Sequence, residues 1–298
     1  MQITAQMVKE LREITGAGML DCKKALVENN GDLDKSIEWL KEKGIAKAAK
    51  KADRIAAEGL TRIVVEGNEA VIVEVNSETD FVAKNEQFIN LIDKIAHHLL
   101  QTLPKDMDEA MASIIEDDKT LETFIAEATA NIGEKITLRR FEVMTKPDTA
   151  AFGAYSHMGG KISVLVELND TDDEAGAREV AMHVAAMNPK FVERAQISQE
   201  FIDAERHTQL EITKNDPKTA NKPEKVLAGI VEGKVNKVLK EIVLVDQPFV
   251  KNPDQTVGDF IKGLKATCGR VVRFEVGEGI EKRQDNFADE VMSQVQGK

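Results

Sequence analysis

A six-residue pattern occurs twice in this chain and limits the folds open to it. Val71-Ile72-Val73-Glu74-Val75-Asn76 returns as Val164-Leu165-Val166-Glu167-Leu168-Asn169. Each copy follows a turn and an earlier extended piece: Leu60 to Glu66 before Gly67-Asn68, and Ala151 to His157 before Gly159-Gly160. Each precedes an acidic loop and a helix. The helices echo each other, Asp93-Lys94-Ile95-Ala96-His97-His98 against Arg178-Glu179-Val180-Ala181-Met182-His183. A repeated hairpin-plus-helix unit predicts a duplicated α+β fold. A third strand is available to each half at Lys135 to Met144 and Arg270 to Val276. Each half is therefore expected to be a three-stranded antiparallel sheet backed by helices.

The segments outside the repeat read as helical. Ala5 to Ile14 carries Met7, Val8, Leu11 and Ile14 at the spacing of one helix face. Thr15-Gly16-Ala17-Gly18 stops it. A second helix is expected from about Met19 to Asn29, with Leu20, Cys22, Ala25 and Leu26. Asp32 can cap a third, Leu33 to Lys43, which Gly44 closes. The Ala- and Lys-rich stretch Ile45 to Arg54 reads as a helical linker. Inside the second half, Ser198 to Ile212 and Lys225 to Leu239 flank the breaker-rich Thr213 to Pro223, which predicts a protruding helical hairpin. Leu210 and Ile212 lie on one of its helices; Val226, Leu227, Ile230, Val231, Val235 and Val238 lie on the other. A spare apolar stripe there could pair with a second copy. Phe287 to Val295 reads as a short terminal helix.

Composition narrows the function. The 298 residues suffice for roughly two or three domains. Apolar content of 42% permits a real core, and the formal charge of −12 argues against a duplex-binding or anionic-membrane surface. At 4%, aromatic rings are too few for a single-strand stacking platform. Cys22 and Cys268 stand alone, with no CxxC, so neither a disulfide framework nor a zinc ribbon is expected, and Cys22 reads as a packing residue. No apolar run approaches the ~20 residues of a membrane span, and the N-terminus lacks the apolar core of a signal peptide. A reducing cytosol is the expected compartment.

Signs of chemistry are sparse. His97, His98, His157, His183 and His207 show no metal-ligand spacing, and His98 and His183 read as packing or surface residues. There is no GxSxG, no GxGxxG after a strand and no GxxxxGK[ST]. Neither a catalytic site, a metal site nor a cofactor is expected, and the chain reads as a non-enzyme.

The run Asn76 to Asn85, NSETDFVAKN, interrupts this pattern. It places Phe81 just after Asp80 at a loop-to-helix corner. An apolar ring there costs solvation unless it packs locally or against a partner. Phe81 lies seven residues before Phe88, so both could share the buried face of one helix. Thr79 and Asp80 are good helix caps.

Three separated segments carry a resemblance: Leu11 to Leu26 (LREITGAGMLDCKKAL), Thr79 to Asn85 (TDFVAKN) and Arg273 to Lys282 (RFEVGEGIEK). In that order they resemble the bacterial elongation factor Ts family, guanine-nucleotide exchange factors of elongation factor Tu. The resemblance implies a UBA-like three-helix bundle over residues 1–53 with its linker. It implies a core divided at 54–145 and 146–280, a coiled-coil hairpin inserted at about 197–240, and a C-terminal helical module at 281–298. It implies that Thr79, Asp80, Phe81 and Val82 dislocate magnesium from the GTPase, with the ring of Phe81 inserted into the nucleotide domain. Further partner contacts fall on Met19, Leu20, Lys23, Ile132, Gly133 and His157, although Ser156 and Met158-Gly159-Gly160 around His157 depart from the family pattern. A homodimer through the hairpin is implied, with no direct nucleic-acid or membrane partner. The competing expectation is an adaptor that binds another protein through the N-terminal module.

Overall fold

The computed structural model describes residues 3–116, 118–219 and 222–281; the terminal helix expected at Phe287 to Val295 lies outside them. Helices α1 (Ala5–Thr15), α2 (Met19–Glu28) and α3 (Leu33–Ala49) come first. Thr4 and Asp32 cap α1 and α3 by accepting from Met7 and Lys35 N–H, and Gly16 ends α1 in the left-handed region at φ 66°. Val8, Leu11, Cys22, Ala25 and Leu26 form the small core, so Cys22 is a packing residue. Ile14 and Leu20 are exposed instead, because a unit this small buries only a narrow stripe of each helix. Gly44 does not close α3. The helix runs on to Ala49 because Gly44 is buried against Ala130, and packing there outweighs the ~1 kcal/mol that glycine costs a helix.

The first half continues with β1 (Glu58–Glu66), β2 (Glu69–Ser77), α4 (Asp80–Ala83), α5 (Glu86–Thr102), α6 (Met107–Ala112), β3 (Ile114–Glu116), β4 (Lys119–Thr120), α7 (Leu121–Ile132) and β5 (Thr137–Thr145). The second contains β6 (Ala151–His157), β7 (Ile162–Asn169), α8 (Glu174–Met187), α9 (Gln199–Asn215), α10 (Glu224–Ile242), β8 (Pro248–Phe249), β9 (Asn252–Thr256), α11 (Val257–Gly263) and β10 (Thr267–Glu275). The class is α+β. Two antiparallel sheets have the same connectivity, β1-β2-β5 and β6-β7-β10. Both third strands are shifted by a few residues from their expected limits. The repeat also goes further than the six-residue pattern. In each half a small hairpin leads into a helix capped by threonine: Thr120-Leu121-Glu122-Thr123-Phe124-Ile125 matches Thr256-Val257-Gly258-Asp259-Phe260-Ile261.

The two sheets stack face to face with helices outside. Val71, Val73 and Val75 of β2 pack against Phe88, Ile92, Ile95 and Leu99 of α5. Its alternate residues Ala70 and Ile72 meet Met144, Phe152, Leu165 and Phe274 between the sheets. In the second half Val164, Val166 and Leu168 face Val180, Ala181 and Val184 of α8. Strands covered on both faces explain why the repeated motif is a continuous apolar run rather than an alternating one. The helices α9 and α10 pack on each other through Phe201, Ile202, Leu210, Val231, Val235 and Leu239. Part of the expected spare stripe is thus spent within the hairpin, while Ile212 and Val226 remain exposed.

Glu74, the charged residue of the first motif, points into this inter-sheet layer and is fully buried. Opposite it, β5 carries a bulge: Glu74 pairs with Arg140 but Val75 pairs with Leu138, leaving Arg139 as the extra residue. Consecutive side chains of a regular strand point to opposite faces; the bulge turns two adjacent arginines toward one carboxylate. Glu74 accepts from Arg139 Nη1 at 3.0 Å, Arg140 Nε at 2.6 Å, Asn76 Nδ2 at 3.1 Å and Gly277 N at 2.8 Å. Gly277 follows β10, so this carboxylate ties the halves together. Burial pushes its pKa up, but the bonds from Gly277, Arg139, Asn76 and Arg140 outweigh burial and hold it below the ordinary value.

The matched histidines His98 and His183 are buried and bonded, to Ser113 Oγ at 2.6 Å and Gln247 Oε1 at 2.8 Å. His183 Nδ1 also accepts from Val250 N–H at 3.2 Å. Burial lowers both pKa values. These groups stay neutral in the fold, so the unfolded chain gains protons first as pH falls below about 6.5.

Glu74→Gln should cost about 2–4 kcal/mol in urea unfolding at neutral pH, because two partly buried guanidinium groups lose their anion. Since the folded pKa is depressed, the wild-type advantage is full above the ordinary carboxylate range and shrinks as pH falls below about 4.5. An advantage unchanged down to pH 3 would contradict this assignment.

Candidate functional site

The loop after β2 is built by caps and by one distant carboxylate. Thr79 begins α4, its hydroxyl accepting from Val82 N–H. Asn85 then starts α5 by accepting from Gln87 N–H at 2.8 Å. Two caps so close together split the sequence into two helices, which is why Phe81 and Phe88 do not share a face. Phe88 is fully buried; Phe81 is 80% exposed. Val82 is half-buried against the first core and Ala83 is buried. The short helix is thus anchored on one side and presents its ring on the other.

Glu134 fixes this arrangement. Its Oε1 accepts from the Thr79 hydroxyl at 2.6 Å, and its Oε2 accepts from the Thr79 and Glu78 N–H groups at 2.9 and 3.1 Å. In return Glu78 Oε1 accepts from Lys135 N–H at 2.6 Å and pairs with Arg54 at 3.3 Å. Arg54 follows α3, so the N-terminal module and the loop share one clasp. No periodicity signals Glu134; its only sequence cue is that it follows the helix-ending Gly133. Asp80 is bonded to Lys84 at 2.6 Å, and this bond holds its carboxyl below the usual range despite some opposing desolvation.

Other predicted contact residues gather at the same end of the first half. Gly133 ends α7 at φ 91° and is exposed, while Ile132 is half-buried against the core. Lys51 donates to Gly133 O, and Asn131 Nδ2 donates to Thr15 O at 3.2 Å. The α1–α2 turn therefore sits beside the end of α7. From α2, Met19, Leu20 and Lys23 face solvent, Leu20 at 83% exposure. His157 is exposed at the β6–β7 turn, where its Nδ1 meets the Tyr155 hydroxyl at 3.0 Å. Beside it Met158 is 72% exposed. That turn is tied to β1: Thr61 N–H donates to Gly160 O at 2.7 Å, and Lys161 pairs with Glu58 at 2.9 Å.

This surface offers exposed apolar side chains on rigid supports, which suits binding. Among the described residues no group of three or more His, Cys, Asp or Glu is placed to hold a metal ion. Burial raises the pKa of both thiols, that of Cys268 to about 12 with help from Glu193 and Glu167. Thiolate chemistry at neutral pH is therefore disfavoured at either. No described helix is long and apolar enough to cross a membrane.

Glu134→Ala should release the loop while leaving the packed sheets intact. Amide hydrogen exchange at Glu78 and Thr79 is expected to speed up by about tenfold or more. Equal protection in the variant would show that Glu134 does not hold the loop.

A comparison with protein-family models matches residues 78–278 to the family described as Elongation factor TS. The matched region starts at the loop and covers most of the chain, leaving α1 to α3, β1 and β2 outside it.

Proposed function

We propose, since the chain belongs to the elongation factor Ts family, that it is a non-catalytic guanine-nucleotide exchange factor for elongation factor Tu in translation elongation. In this reading Thr79, Asp80, Phe81 and Val82 enter the nucleotide domain of the GTPase and dislocate its Mg²⁺, GDP leaves, and GTP rebinds. One observation carries the mechanism: a ring 80% exposed on a loop held by Glu134. A GTPase holds its nucleotide partly through Mg²⁺ bridging the phosphates. Displacing the elements that support the metal weakens that hold without touching the base.

The magnitudes require more than one side chain. Speeding release by ~10⁴ takes about 5.5 kcal/mol of preference for the open state. Burying one ring supplies about 2–3 kcal/mol. The remainder is assigned to a wide interface with Met19, Leu20 and Lys23 of the N-terminal module, Ile132 and Gly133, and His157. Because linkage is reciprocal, nucleotide weakens the complex as much as the complex weakens nucleotide.

The same reading treats residues 1–53 as a UBA-like module and linker, 54–145 and 146–280 as the two core subdomains, and 281–298 as a C-terminal module. It takes the hairpin at about 197–240 as a coiled coil able to form a homodimer, and the compartment as the bacterial cytoplasm, with no direct nucleic-acid or membrane partner. One observation favours a second reading: the exposed Met19 and Leu20 lie outside the matched region. That fits an adaptor in which α1 to α3 hold most of the partner affinity.

Release of fluorescent GDP from elongation factor Tu separates these readings. The wild type should accelerate release, and Phe81→Ala should lose roughly 30- to 100-fold of that acceleration while unfolding normally. Full acceleration by Phe81→Ala would remove the wedge. No acceleration by the folded wild type would reject exchange and leave the adaptor.

A further inference from the structure

The duplication provides an internal comparison. Asn76 pairs with Thr137 in the first sheet and Asn169 pairs with Thr267 in the second. Counted from these pairs, Val143 of β5 corresponds to Arg273 of β10. Val143 packs against the apolar core of the first half. The second copy places a guanidinium at the matching position, with the side chain only 11% exposed. Nη2 donates to Glu275 at 2.8 Å, whereas Nε and Nη1 are buried without a hydrogen-bond partner. Buried N–H groups of a cation pay desolvation that an anion or water must offset.

Arg273 borders a cleft of about 360 Å³, lined also by Asn188, Lys190, Gln196, Gly269 and Arg270. No carboxylate lines it, although the chain as a whole carries a charge of −12. Arg270 is committed to Glu142 and to Val143 O at 3.2 Å. Lys190 is exposed and has no ion pair among the described residues. Arg273 is paired with Glu275 and Arg270 with Glu142, which leaves Lys190 as the cleft's unpaired cation among the described residues; its unit charge exceeds the roughly half negative charge that the C-terminal end of α8 brings to the cleft. The volume holds a tetrahedral oxyanion together with several waters, each taking about 30 Å³.

We propose that this cleft is an anion site that takes a phosphate group, free or carried on a nucleotide, with Arg273 and Lys190 as its cationic ligands. Guanidinium suits that role, since it stays charged when buried and donates from several directions. The cleft lies on the outer face of the second half, and its assignment is independent of the exchange reading.

The test is calorimetric titration of the full chain, without elongation factor Tu, at ionic strength held constant with sodium chloride. Separate arms use inorganic phosphate and GDP. Saturable binding of phosphate by the wild type, weakened about tenfold or more by Lys190→Ala and by Arg273→Met, is the expected result. Tighter saturation by GDP, lost in the same variants, would also support the site and identify the carried phosphate as the ligand. Lys190→Ala changes an exposed side chain and keeps the test valid if Arg273→Met fails to fold. Absence of saturable heat in both arms would overturn the proposal, and so would binding that both variants retain.

Discussion

The buried Glu74 carboxylate is the interaction on which the arrangement of the two halves depends. A charge in a layer between sheets is tolerable only when its acceptor positions are filled. Here two arginines from one bulge, an asparagine and a backbone N–H from the other half fill them. The consequence reaches the candidate functional surface. The strand that carries Glu74 ends at Ser77 and leads directly into the loop at Thr79. The segment that supplies the Gly277 N–H follows β10, whose neighbour β7 starts next to the His157 turn. One ionic contact therefore helps set the spacing between two surfaces that the exchange reading assigns to the same partner.

The loop illustrates how an exposed hydrophobe can be held on a fixed support. An unconstrained Phe81 would lose conformational freedom on binding, and that cost would subtract from the burial of its ring. Glu134 removes much of this cost in advance by holding the Glu78 and Thr79 amides and the Thr79 hydroxyl. Val82 and Ala83 hold the other side through the core. The clasp also includes Arg54, just after α3. Orientation of the N-terminal helices and orientation of the ring are thus mechanically related.

Much of the fold was legible because its signals are local. The doubled six-residue motif pointed to duplicated strands, and Asp32 and Thr79 announced helix starts that the structure contains. The features that escaped depend on contacts far apart in sequence. Gly44 looked like a stop, yet its burial against Ala130 allows α3 to pass through it. The bulge that turns Arg139 and Arg140 together has no periodic signature, and Glu134 lies more than fifty positions from the Thr79 it holds. The threonine-capped helices at Thr120 and Thr256 are a different case. Their shared Thr and Phe-Ile pattern is visible in the chain, but it is too short and too diverged to stand out before the hairpins leading into them are seen.

In the proposed mechanism Phe81 acts because Glu134 holds it in place. A double-mutant cycle on GDP release from elongation factor Tu tests this most directly, with Phe81→Ala introduced into the wild type and into Glu134→Ala. Strong coupling is the expected result: removing the ring costs far less once Glu134 is gone. Additive effects, with the ring equally valuable on a released loop, would contradict it.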